Sequence, residues 1–137
     1  MGVRVAEKTD EGAVVTLWRS CELIVSYNDP SSDFQEAISG PCSDVLVNEN
    51  ELGQVDGTVM VGYDGHRGWL YYVAAAPTAQ GTGIGRKMVE AAERWLRDRG
   101  VVKAQLLVRE TNTKVVRFYE HLGYEAVPRV VMGKRLK

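Results

Sequence analysis

Cysteine, histidine and long apolar runs are scarce in this chain, and each shortage removes a class of function. Two cysteines occur in 137 residues, at positions 21 and 42. They could pair arithmetically, but Cys21 falls inside an apolar helical pattern and reads as a small core residue. His66 and His121 are the only histidines, so no clustered metal-ligand spacing exists and no zinc or iron site is expected. No window reaches the ~18 apolar residues of a membrane span, and residues 1–8 hold no apolar core of a secretory signal. A cytoplasmic protein is the expectation. Charge of one sign is also missing: 17 basic residues oppose 18 acidic ones for a net charge of -1. Neither nucleic acid nor an anionic membrane is an expected partner.

What is present is enough apolar material for one core. With 45% hydrophobic residues, a single domain over residues 1–137 is expected, since the chain is too short for two ordinary domains. Residues 3–6 read as a strand. Thr9 and Asp10 then offer capping oxygens to a helix carrying Val14, Leu17, Trp18, Cys21 and Ile24 on one face. A turn-rich stretch at 28–32 precedes a weaker helix over 33–38, ended by Gly40-Pro41. Three β-type runs follow at 44–49, 54–63 and 68–75, the last two joined by the hairpin signal Asp64-Gly65. From Ile84 a helix carries Met88, Ala91, Ala92, Trp95 and Leu96 on one face until Gly100. Residues 103–108 read as a strand, which makes a right-handed crossover with parallel strands on either side of that helix. Short strands at 125–127 and 130–136, hairpin-like across Pro128, close the chain.

Chemistry concentrates at Gln80-Gly81-Thr82-Gly83-Ile84-Gly85, between an apolar strand and a helix. Glycines there permit turn conformations barred to other residues and let a ligand approach the backbone. The first N–H groups of the helix have no intrahelical partner, and the helix dipole adds positive potential, so a pyrophosphate fits. The nucleoside-triphosphatase loop and the dinucleotide fingerprint both fail, because Arg86 occupies the position where each requires glycine. A second pattern lies downstream in Asn112-Thr113-Lys114-Val115-Val116-Arg117-Phe118-Tyr119-Glu120-His121-Leu122-Gly123-Tyr124. Thr111 or Asn112 caps a short helix there, Val115, Phe118 and Leu122 share one face, and Gly123 stops it. Tyr119 projects from another face, where it either packs beside the core or does chemistry.

Together these patterns resemble the GNAT superfamily of N-acetyltransferases. Its pyrophosphate loop is Gln/Arg-x-x-Gly-x-Gly/Ala, and its second signature, Asn-x-x-Ala-x-x-Phe/Leu-Tyr-x-x-x-Gly-Phe/Tyr, is met here except for Val115 in place of alanine. Asn28-Asp29-Pro30, Gly57-Thr58-Val59-Met60 and Gly62-Tyr63-Asp64-Gly65-His66-Arg67-Gly68 are similar to small single-domain bacterial members of a YpeA-like group. The resemblance implies an α/β (α+β mixed sheet) fold, a GNAT-like central mixed sheet flanked by helices in the order βααβββαβαββ. It implies acetyl-CoA (coenzyme A) as co-substrate without a metal, and transfer to a small-molecule or peptide amine by direct attack in a ternary complex. Relatives often pair, so a homodimer is the assembly it suggests.

Residue by residue, the resemblance assigns main-chain groups at Val73 and Ala75 to the pantetheine arm and thioester. Gln80, Gly81, Thr82, Gly83, Ile84 and Gly85 go to the pyrophosphate, with Arg86 or Lys87 in reach of a phosphate, and Asn112 goes to the cofactor arm. Tyr119 would protonate the departing thiolate. A free phenol titrates near ~10 and a thiol near ~8.5, so the phenol is neutral and its proton can be shared. Many relatives carry a basic glutamate on the strand before the loop, but Trp69-Leu70-Tyr71-Tyr72-Val73-Ala74-Ala75-Ala76 has no carboxylate. Glu110 is the first substitute, followed by Asp64, His66 and Asp29, and water-mediated deprotonation would serve equally. Tyr27, Asn28, Asp64, Trp69 and Tyr71 are the candidates for acceptor contact, although aromatics of this kind more often pack. The competing expectation is a sensor that binds acyl-CoA or coenzyme A without turnover.

Overall fold

The structure is a computed structural model that describes residues 2–137. It divides into two compact units, Met1–Leu106 and Leu107–Lys137. The first unit holds β1 (Gly2–Val5), α1 (Glu11–Ser20), α2 (Pro30–Ser39), β2 (Ser43–Glu49), β3 (Val55–Tyr63), β4 (Gly68–Ala75), α3 (Ile84–Asp98) and β5 (Ala104–Gln105). Two 3₁₀ turns, Lys8–Asp10 and Pro77–Ala79, introduce α1 and the glycine loop. The second unit holds α4 (Thr113–His121).

The five strands form one sheet in sequence order, antiparallel from β1 through β4 and parallel between β4 and β5. The mixed α/β class and the crossover are therefore present. One face of the sheet is covered by α1 and α2, whose Val14, Leu17, Trp18, Phe34 and Ala37 are buried with Val45, Val47 and Ala74. Burying a side chain of this size contributes about 1.5–3 kcal/mol, so this cluster is a main source of the unit's stability. The other face takes α3. Glycines on the sheet set how close that helix comes: a Cβ at Gly57 would stand 2.5 Å from the Ile84 side chain, and one at Gly68 would stand 2.6 Å from Leu96. The far end of α3 is tied by the Trp95 indole, which donates to Asp44 at 2.9 Å and carries the Arg99 guanidinium 3.5 Å above its ring.

Several boundaries differ from expectation for identifiable reasons. α1 stops at Ser20, short of Ile24, because Glu22 adopts φ +57°, which no right-handed helix continues through. α2 is longer than 33–38 because Asp29 caps it, accepting from the N–H groups of Ser31 and Ser32, and Pro30 supplies a helical φ at the first position. β5 is two residues, where six were expected. No strand forms at 125–127 or 130–136, and the final ββ of the expected order is absent from the described residues. Val130, Met132 and Leu136 are each more than four-fifths exposed, so this segment has β-type composition without a sheet to complete. Pro128 also removes a donor from any hairpin ladder there.

Replacing Gly57 with alanine should push the first turn of α3 off the sheet and cost about 1–3 kcal/mol, the usual range for overpacking. Urea denaturation reads it as a lowered midpoint with an unchanged slope, and a midpoint equal to wild type would show that α3 does not depend on this close approach.

Candidate active site

The glycine loop is built by main-chain bonds that leave its outer surface open. Pro77 opens a 3₁₀ turn in which the Ala79 N–H donates to the Ala76 carbonyl at 2.7 Å. The Ala79 carbonyl then accepts from both the N–H and the hydroxyl of Thr82. Gly81 and Gly83 follow at φ +82° and +88°, and a Cβ at either would meet nothing within 4 Å. These glycines are required by conformation, and the space above them is free. Gly83 is the N-cap of α3 and has no side chain to cap it. The first intrahelical bond runs from the Lys87 N–H to the Gly83 carbonyl, 3.0 Å, so the N–H groups of Ile84, Gly85 and Arg86 have no partner within the helix. Arg86 leans toward Glu90 at 3.7 Å in an exposed pair of little energetic weight.

β4 leads into this loop through a β-bulge. The register passes from Met60↔Tyr71 to Thr58↔Ala74, so Val59 stands opposite two residues, Tyr72 and Val73. Tyr72 takes φ +52°, a left-handed conformation rare for a bulky side chain. Its carbonyl accepts from the Thr58 hydroxyl at 3.1 Å, and the same hydroxyl oxygen accepts from the Trp18 indole at 3.1 Å. The Tyr72 ring stacks on Trp18, 3.9 Å between centroids, and its phenol donates to Asp33 at 2.7 Å. Burial, and then Asp33, hold that phenol well above its ordinary pKa. Beyond the bulge, the Ala76 N–H donates to Asp56 on β3 at 2.8 Å. Strand alternation therefore turns the Ala75 main chain away from β3. Its carbonyl accepts from the Cys21 thiol at 3.3 Å and the Gln80 amide at 3.4 Å. Burial pushes the Cys21 thiol up, which keeps it a donor. Parallel pairing with β5 is confined to Gly68↔Ala104 and Trp69↔Gln105, so the rest of β4 has no β5 partner.

Three of the residues expected to contact the acceptor form one array. Asp64 accepts from the N–H groups of Arg67 and His66 at 2.7 and 2.8 Å, and from the Trp69 indole at 3.0 Å. Those bonds, the two from the backbone first, hold its carboxyl below the usual range. Trp69 stacks with Tyr71, 6.4 Å between centroids. Tyr71, its phenol raised by burial and by Asp64, lines a cleft of about 550 Å³ with Ser32, Asp33, Glu36, Ser43 and Met60. Tyr27 and Asn28 are exposed in the connection between α1 and α2 and are not among the residues lining that cleft. Asp29 is spent on capping α2, and His66 is exposed in the hairpin. Asp33 and Glu36 were not anticipated at the site. The available signal was Asp29-Pro30, a helix start that puts 33 and 36 one turn apart on one face.

The second unit carries the downstream pattern. Glu110 is exposed in the turn before α4. Asn112 caps the helix, its side-chain oxygen accepting from the Val115 N–H at 3.4 Å. Tyr119 is buried, edge-on to Phe118 and Tyr124 at 5.0 and 5.7 Å. Burial pushes its phenol up to about 12. Gly123 ends the helix at φ +94°. Among the described residues no three of His, Cys, Asp and Glu group as metal ligands, and no helix is long and apolar enough to cross a membrane.

Comparison with known proteins bears on the chain as a whole. The family model described as "Acetyltransferase (GNAT) family" matches residues 13–124. An acetyltransferase of Pectobacterium atrosepticum is 40% identical over 136 residues, 99% of this chain and 96% of that protein. Among solved structures, AAC(6')-Iy in complex with the bisubstrate analogue CoA-S-monomethyl-acetylneamine superimposes with a TM-score of 0.83 at 17% identity, covering 97% of this chain and 96% of that one. Glucosamine-6-phosphate N-acetyltransferase of Arabidopsis thaliana gives 0.72 at 24% identity, with 98% and 97% covered. At these identities the two structures are similar in fold.

Replacing Gly83 with alanine meets no neighbour, so its cost is conformational, roughly 1–2 kcal/mol for a left-handed residue with a Cβ. Chemical denaturation should show that loss, and a stability unchanged from wild type would mean that the loop relaxes without it.

Proposed function

The chain belongs to the GNAT acetyltransferase family, and from that membership we propose that it transfers the acetyl group of acetyl-CoA to a primary amine by direct attack in a ternary complex. The observation that carries this reading is the bond from the Gln80 side chain to the Ala75 carbonyl. It ties the start of the glycine loop to the end of β4, the strand that in this reading faces the thioester. In this reading the N–H groups at the start of α3, with Gly81, Thr82 and Gly83, grip the pyrophosphate. The main chain at Val73 and Ala75 orients the pantetheine arm and the thioester carbonyl. Asn112 contributes its amide to the cofactor arm.

The amine nitrogen attacks the thioester carbonyl, forming the C–N bond as the C–S bond breaks. The proton lost by the amine passes to Glu110 or to water. Asp64 is a poor base, since three donors already satisfy its carboxylate. Tyr119 gives its phenolic proton to the departing thiolate and regains one from solvent, and a phenol raised to about 12 starts each turnover protonated. The acceptor occupies the cleft beside Tyr71. Asp33 and Glu36 line that cleft without any basic residue, which favours an acceptor with a second positive charge over one with a carboxylate. The same reading has one domain over 1–137, working in the cytoplasm without a metal.

A thiol-release assay tests the reaction. Against amines of equal chain length, a diamine should show kcat/KM about tenfold above the monoamine, and an amino acid the lowest value. No thiol release with any amine would remove the reading. Tyr119→Phe should lower kcat about 10²-fold, with coenzyme A affinity unchanged by calorimetry. Its pH–rate profile should keep the wild-type alkaline limb, because the phenol does not ionise below about 12. A limb that disappears in the variant would mean that Tyr119 titrates during turnover.

A further inference from the structure

Tyr72 holds a conformation that a bulky residue avoids, and such an outlier persists only where its surroundings over-determine it. Here each determinant comes from a different element. Trp18 of α1 stacks on the ring, Asp33 of α2 accepts from the phenol, and Thr58 of β3 donates to the carbonyl. Trp18 and Thr58 are fully buried, and the bond between them closes the arrangement. The next residue is Val73, and Ala75 lies two further on. The direction of their main-chain groups therefore depends on how Tyr72 is held. Asp33 has a second place in the molecule, because it also lines the cleft beside Tyr71.

We propose that Tyr72 and Asp33 are positioning residues for acetyl transfer, and that their phenol–carboxylate bond fixes the β4 bulge and links it to the wall of the acceptor cleft. The proposal rests on the function inferred above. The two helices covering this face and a neighbouring strand converge on one residue, and the bond that completes the set is the one that borders the cleft. An occupant of the cleft and the main chain at 73–75 are thereby held in a common frame. Neither side chain exchanges a proton or a bond with the substrate.

The test uses substitutions that separate the bond from the packing. Tyr72→Phe keeps the ring on Trp18 and removes the phenol, Asp33→Ala removes the acceptor, and Asp33→Asn retains an oxygen that can accept. Tyr72→Phe and Asp33→Ala should each lower kcat between about tenfold and 10²-fold, the scale of a small misplacement of reacting groups. The calorimetric Kd for coenzyme A should stay within about twofold, and the double variant should be no slower than the worse single one. Asp33→Asn should recover most of kcat, with KM for a diamine raised because the cleft loses one negative charge. Amide NMR shifts and hydrogen exchange at Val73 and Ala75 should change in Tyr72→Phe, and this readout needs no turnover. A Tyr72→Phe protein with wild-type kcat, or with unchanged amides at 73 and 75, would overturn the proposal. Thiol release absent from the wild type itself would instead overturn the function on which it rests.

Discussion

A tyrosine kept in left-handed backbone space is the constraint on which the first unit depends. Holding a non-glycine residue there costs on the order of 1–3 kcal/mol. The aromatic stack on Trp18 contributes about 0.5–1.5 kcal/mol. The hydrogen bonds to Thr58 and Asp33 contribute on the order of 1 kcal/mol for the neutral one and about 1.5–3 for the charged one. Together these contacts outweigh the cost of the conformation, so the bulge is a stable feature of β4. It stands between the register with β3 that fixes Tyr71 and the register that fixes Ala74. The helices that cover this face of the sheet also hold the bulge: Trp18 is both a fully buried core residue and the surface on which Tyr72 rests.

Glycine serves the other end of the site in two distinct ways. Gly81 and Gly83 have open space around them and are needed for positive φ, whereas Gly57 and Gly68 have ordinary strand conformations and are needed because α3 lies against them. The first pair shapes the loop at the start of α3 and the second sets the depth of the helix on the sheet. Displacing α3 would move the N–H groups of its first turn along with it, so packing beneath the helix and the position of those N–H groups are mechanically connected. The Gln80 side chain extends this connection to β4 by bonding the Ala75 carbonyl.

The ionisable groups divide by how completely they are satisfied. Asp64 has its oxygens filled by two backbone N–H groups and an indole, which makes it a structural anion that orients Trp69. Arg4 bridges Asp10 at 2.8 Å and Glu49 at 3.2 Å, fastening β1 to β2 and to the turn before α1. The phenols of Tyr72 and Tyr119 are both raised by burial, but only Tyr72 has a carboxylate acceptor. The Tyr72 phenol is committed to a carboxylate, whereas burial alone keeps the Tyr119 phenol in its neutral form.

Much of this was legible in the amino-acid order, because the signals were local. The periodic apolar face of α3, the Asp64-Gly65 hairpin, a cap at 111 or 112 and positive φ at Gly81 and Gly83 are each specified within a few residues, whereas Gly85, expected in the same turn, is the second residue of α3; the family resemblance follows from two such stretches. The ends of α1 and α2 were read less well, since Glu22 carries no sign of its left-handed φ and the cap at Asp29 competes with a turn reading of the same residues. The expected closing strands have suitable composition, but a strand is defined by its partner, and no local pattern supplies one. The bulge is the extreme case. Nothing in Leu70-Tyr71-Tyr72-Val73 distinguishes which tyrosine leaves the regular ladder; that is decided by Trp18, Asp33 and Thr58, brought together from distant parts of the chain. Sequence alone determined the family, the crossover and the glycine-rich turn at the start of α3, because backbone geometry there is dictated by residue type. Tertiary structure alone decided how β4 is aimed and which carboxylates border the cleft, because those depend on contacts between elements that local order does not encode.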